Sequence, residues 1–256
     1  MKLSKIVLAG LCTIAITSNA KPLADYPSQP LENESKVVAL YGNSYTHYNN
    51  HLNTRLRDLT RSLKPNGAEG YSYRGVTISS GRLGWHQDNL KFHYTLGDWD
   101  TVIFQGHSSE PITANEQSRN YFEKSAKQMA NYAQSKGSQV VYLMTWAKQS
   151  EPEKFDDLAE AYIKVAKDTQ GYVAPVGLAF QAMIEQYPDI NLYHSDGSHP
   201  SLAGTYLAAA TLYATLYNES PVGGATPVDT DMDQETAAVI QQIAWDTVAD
   251  FRANHY

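Results

Sequence analysis

Cysteine is nearly absent from these 256 residues: the one present, Cys12, lies within the first twenty positions. Beyond Ala20 the chain therefore has no disulfide available to it. Charge is also sparse, at 18% Asp, Glu, Lys and Arg, and the positive kind is the scarcer. Twenty Lys and Arg against 27 Asp and Glu leave a formal charge of −7. Such a balance has no general attraction for phosphate backbones and argues against a nucleic-acid partner. After residue 20 no segment has about 18 uninterrupted apolar residues, so stable membrane insertion is not expected. Internal repeats and interior linkers are missing as well. What is present is an apolar fraction of 42%, enough for a sizeable core and too much for a disordered or collagen-like chain. Tyrosine is abundant at 18, beside 4 Trp. Such rings either stack on sugars or fill a core.

The first twenty residues read as a leader. Lys2 and Lys5 give a basic start, residues 6–16 are mostly apolar, and Ser18-Asn19-Ala20 is a small-residue cleavage site. A secretory signal peptide over residues 1–20, cut after Ala20, is expected, which would make the protein secreted or periplasmic. The alternative is a retained N-terminal anchor. Lipidation is not expected, because Leu11 stands before Cys12 where a small residue is needed. Residues 21–35 hold three prolines and form a lead-in segment. Residues 36–256 are the expected folded domain.

Within that domain, strand and helix signals alternate. Residues 36–42, 73–79, 100–105, 139–145 and 172–176 are short apolar runs of the kind a buried parallel strand shows. Residues 49–63, 114–136, 152–168, 202–217 and 234–251 have helical spacing or helix-forming composition. Residues 219–231 form a loop. Interleaving of this kind predicts an α/β fold with a mostly parallel sheet and helices on both faces. Ligands then bind beyond the carboxyl ends of the strands, so residues just after each strand are the first to inspect.

Ser44 follows the first strand in Gly42-Asn43-Ser44-Tyr45-Thr46. A serine there has its hydroxyl at the sheet edge and its N–H near a helix start, where negative charge is stabilised. It reads as a nucleophile or as a helix cap. Tyr45-Thr46 replaces the second glycine of a G-x-S-x-G elbow, so this is not that motif. Near the other end, Asp196 and His199 are three apart across Gly197. A turn would bring the carboxylate to one imidazole nitrogen and leave the other for a serine. A plain surface turn and a metal site built with His194 are the competing readings.

Gly42-Asn43-Ser44 early and Asp196-x-x-His199-Pro200 late, in this order and strand context, resemble the GDSL or SGNH hydrolase superfamily. The likeness is nearest to its uncharacterised bacterial branch and its carbohydrate esterases. It implies a three-layer α/β/α sandwich with about five mostly parallel strands, flavodoxin-like in type. It maps Ser44 to the nucleophile, His199 to the general base and Asp196 to its orienting acid. Asn43 stands where the family usually has aspartate. The family's oxyanion hole maps to the Ser44 N–H, to the N–H of Gly81 (with Gly84 the alternative), and to a side chain after the third strand. There Gln105-Gly106-His107 replaces the usual G-x-N-D and resembles the Q-G-E variant of sialate and acetylxylan esterases. Gln105 is the expected donor and His107 the other possibility, against a plain strand-end role for Gln105.

Tyr45, His86 and Trp146 flank these motifs and are the candidate substrate-binding residues. The resemblance implies no cofactor and no metal. It points to a serine esterase acting on short acyl esters, acetyl groups on carbohydrate above all, with a small-molecule or polysaccharide ester as partner. A short-chain lipase or thioesterase, and a weakly catalytic glycan-binding domain, are the alternatives.

Overall fold

A computed structural model describes residues 27–228 and 230–254. The expected signal peptide lies outside the described residues. Five strands form one sheet: β1 (Val37–Gly42), β2 (Ser72–Thr77), β3 (Thr101–Phe104), β4 (Gln139–Leu143) and β5 (Tyr172–Ala174). All neighbours are parallel, in the order β2-β1-β3-β4-β5. β3, β4 and β5 are buried along their whole length, which is why they read as unbroken apolar runs. The register of β1 on β3 is pinned at its start. The Asp100 carboxylate accepts the Lys36 and Val37 N–H groups at 2.9 and 2.8 Å.

The helices are α1 (Ser44–His47), α2 (Leu52–Leu63), α3 (Gln87–His93), α4 (Glu116–Ser135), α5 (Phe155–Thr169), α6 (Val176–Gln186), α7 (Leu202–Tyr217) and α8 (Gln234–Ala253). One layer is built from α2, α6, α7 and α8, the other from α3, α4 and α5. This is the expected α/β/α sandwich. α7 is apolar on every side and almost wholly buried, with α2, α6 and α8 packed around it. Its alanines let those neighbours approach closely.

Three helices escaped the sequence reading, the first being α1, a single turn of four residues. α6 follows β5 after Pro175 alone, so strand and helix merge into one apolar stretch. A 3₁₀ turn at Leu83–His86 leads into the seven-residue α3, too short to show a period. No helix among the described residues is long and apolar enough to cross a membrane.

β1 lies between β2 and β3, so the chain reverses its direction of travel across the sheet between β1 and β3. That crevice, at the carboxyl ends, is where open α/β sheets bind ligands.

Candidate active site

Three loops meet in the crevice, and Asn43 ties them together. Its side-chain oxygen accepts the Tyr45 N–H at 3.0 Å, capping α1. Its side-chain nitrogen donates to the Gly81 carbonyl at 3.1 Å, and its own N–H donates to Gln105 Oε1 at 2.9 Å. The ends of β1, β2 and β3 are thus joined through one residue. Only glycine fits before it. A Cβ on Gly42 would stand 2.5 Å from Thr46 Oγ1 and 2.6 Å from Gln105 Oε1. Ser44 follows as the first residue of α1, half-buried. Its N–H precedes the first internal bond of the helix.

The late loop folds back on itself. Tyr193 bridges Pro200, and His194 N–H donates to the His199 carbonyl at 2.8 Å. Gly197 supplies the positive φ of the turn, +67°. Asp196 Oδ1 accepts the N–H groups of Ser198 and His199, each at 2.9 Å. Its Oδ2 lies 2.6 Å from His199 Nδ1. The bond from His199, and after it that from the Ser198 N–H, hold the Asp196 carboxyl far below the usual range. An ionised Asp196 keeps the proton on Nδ1, so Nε2 is left to accept. The Ser44 hydroxyl is 2.8 Å from that nitrogen.

The structure therefore brings Ser44, His199 and Asp196 into one hydrogen-bonded line. It does not gather His194 with them as metal ligands. His194 Nδ1 is 3.8 Å from Asp196, and both His199 nitrogens are already engaged. Among the described residues no group of three His, Cys, Asp or Glu side chains is placed to hold a metal ion.

The flanking residues fall differently from expectation. Trp146 is buried, stacked between Tyr45 at 4.7 Å and Phe180 at 4.2 Å, and its indole N–H donates to the Ser198 carbonyl at 3.1 Å. The Tyr45 hydroxyl meets Ser198 Oγ at 2.6 Å. Both rings hold the Asp196–His199 turn from beneath and are framework rather than pocket lining. His86 is 1% exposed and donates Nε2–H to the Gly42 carbonyl at 2.9 Å, fixing the end of β1. It too is withdrawn from substrate contact.

Two of the expected oxyanion donors are also committed elsewhere. The Gly81 N–H donates to the Ile78 carbonyl at 2.8 Å. Gln105 is 1% exposed, accepts from Asn43, and donates to the Gly106 carbonyl. Its strand-end position makes it a backbone tie, the role its burial favours. His107 is half-buried. Burial, then Arg82 and Lys148, hold its imidazole below the ordinary value and so in the neutral form. Tyr41 pairs with Phe104 across β1 and β3. Ser44 and His107 each stand three residues beyond that pair.

Sequence reasoning missed three residues. Tyr48 stacks on the His199 ring, 4.3 Å between centroids. The Asn49 side-chain amide donates to the Pro200 and Ser201 carbonyls and to Thr205 Oγ1, at 3.0, 2.8 and 2.7 Å. Glu110 is 2% exposed and faces Arg82 Nε at 3.5 Å, linking the loops after β2 and β3. Burial pushes its carboxyl up, and Arg82 opposes the rise. The only one-dimensional signal for any of them was closeness to Ser44 or Gln105.

No protein-family model matches the chain, and no curated protein matches it in sequence. Solved structures do match in shape. A DUF4886 family protein from Bacteroides uniformis superposes with a TM-score of 0.63 at 16% identity, over 83% of this chain and 94% of that one. An acetyl xylan esterase from Geobacillus stearothermophilus gives 0.58 at 14%, over 74% and 98%. TesA gives 0.52 at 20%, over 71% and 98%. The chain has the SGNH-hydrolase fold. At these identities the likeness speaks for the fold alone.

Proposed function

We propose that this SGNH-fold protein is a secreted or periplasmic serine esterase that removes short acyl groups, acetyl above all, from carbohydrate. The reading rests on the unbroken hydrogen-bonded line from Asp196 through His199 to Ser44. Ser44 Oγ attacks the ester carbonyl carbon while its proton passes to His199 Nε2. The carbonyl π electrons move onto oxygen. The tetrahedral intermediate collapses, the C–O bond to the alcohol breaks, and His199 returns the proton to the leaving alkoxide. Water, deprotonated by His199, then attacks the acyl-enzyme and frees the acid and Ser44. Asp196 keeps the imidazole in the right tautomer and stabilises its charged form.

The oxyanion falls to the Ser44 N–H at the start of α1 and to the neutral imidazole of His107. Of Ser44, Gly81, Gln105 and His107, these two have no competing bond described above. Removing one such donor typically costs about 10²–10³ in turnover. The acetyl preference is supported by the resemblance of Gln105-Gly106-His107 to acetyl esterases and by the fold shared with an acetyl xylan esterase.

The test is hydrolysis of p-nitrophenyl acetate and octanoate by the wild type and by Ser44→Ala. Acetate release that needs Ser44, with little octanoate cleavage, is the expected result. The engagement of Gly81 and Gln105 in backbone bonds favours a second reading, a weakly catalytic glycan binder. Absence of Ser44-dependent turnover on either ester and on acetylated xylan would put that reading first.

A further inference from the structure

The Ser–His–Asp line leaves one neighbour of His199 without a role. Tyr48 lies flat on the imidazole, with planes only 11° apart and centroids at 4.3 Å. The chain goes to some lengths to put it there. Tyr48 ends α1, and the next three residues, Asn49, Asn50 and His51, all have positive φ, of 55°, 66° and 63°. Such a run of non-glycine residues is unfavourable and persists only where surrounding contacts hold it. The Asn49 amide supplies that hold by clamping the turn to the backbone of Pro200 and Ser201, immediately after His199.

The groups that face His199 are Asp196 at Nδ1, Ser44 at Nε2, Tyr45 in a T-shaped contact at 5.5 Å, and the face of Tyr48. His194 meets Tyr48 edge-on at 5.6 Å. Of the two tyrosine rings, Tyr48 is the one stacked parallel on the imidazole. A ring face carries negative quadrupolar potential and attracts a cation more than it attracts a neutral ring. His199 becomes cationic when it takes the serine proton, so the ring favours that form over the neutral one.

We propose that Tyr48 is a positioning residue that stabilises the imidazolium form of His199 by cation–π contact, beside Asp196. The catalytic consequence rests on the esterase reading; the contact itself does not. Two readouts separate them. The first is titration of the His199 ring by NMR in wild type, Tyr48→Phe, Tyr48→Leu and Tyr48→Trp. Leu keeps the apolar cover and removes the π face. His199 should then titrate about 0.4–0.7 of a pH unit lower, stay close to wild type with Phe, and move higher with Trp, the strongest cation–π ring. The second is kcat/KM on p-nitrophenyl acetate, with Ser44→Ala as control. It should fall about two- to fivefold with Leu and recover with Phe.

A His199 titration unmoved or raised by Leu, or lowered by Trp, overturns the proposal, and either variant alone decides it. Should Ser44→Ala retain full activity, the esterase reading fails while the NMR result still settles the part played by Tyr48.

Discussion

Asp196 uses its two carboxylate oxygens for different tasks. One shapes the turn by accepting two N–H groups, and the other faces His199. Asp196→Asn preserves the turn bonds but offers an N–H to Nδ1 and reverses the tautomer. Turnover should fall by about 10³–10⁴ while the melting temperature changes little; steady-state kinetics beside calorimetry checks both. His107→Ala should lower kcat by about 10²–10³ with KM for the ester nearly unchanged, the pattern of a group that acts mainly in the transition state. The triad candidates were legible in sequence because strand-end position and a three-residue spacing dictate where Ser44, Asp196 and His199 go. Tyr45, His86, Trp146, Gly81 and Gln105 were not, because the same strand-end positions serve framework and pocket alike. Burial and bond partners decide between those roles, and both are properties of the assembled fold.

The element that matters most for the site is the turn from Tyr193 to Pro200, held from below and from the side. Below it, Trp146 lies in a three-ring stack and donates to Ser198. At the side stands the Asn49 clamp. Trp146→Ala removes a buried ring and should cost about 3–5 kcal/mol of stability by denaturant unfolding. At a temperature where the variant is still folded, its kcat should also drop, because Ser198 and with it His199 lose their support. Trp146→Phe keeps the stack, loses one hydrogen bond, and should fall between. At this scale the sequence was read most easily where the pattern is long. α7 and β1 were found at nearly their observed bounds, from a sixteen-residue apolar helix and a strand that ends in glycine. α6 was lost because β5 runs into it with no polar break, and α3 because seven residues show no period.

At the scale of the molecule, four histidines among the described residues are kept below their ordinary value, chiefly by burial: His51, His86, His93 and His107. His86 shows the cause. It is buried and its Nδ1 has no partner to receive a proton's hydrogen bond, while the bond from Nε2–H to the Gly42 carbonyl opposes the fall. Unfolding frees these rings to take up protons below about pH 6.5. The unfolded state then binds more protons than the folded one, so stability is complete above that pH and falls as the solution is acidified. Melting temperatures should be level from about pH 7 to 9 and decline toward pH 5, by about 2–4 °C for each kcal/mol lost. His86→Gln, whose amide still reaches the Gly42 carbonyl, should flatten part of that decline. The order of the five strands explains why the site is where it is, since the switch between β1 and β3 opens the crevice that Asn43 then ties shut at its base. Esterase chemistry here requires that the crevice activate Ser44. The most direct measurement is labelling of the folded protein with a fluorophosphonate, followed by peptide mass spectrometry. One adduct on Ser44, formed by the wild type and lost in His199→Ala, is the predicted result. An unlabelled Ser44, or labelling that persists without His199, would contradict it.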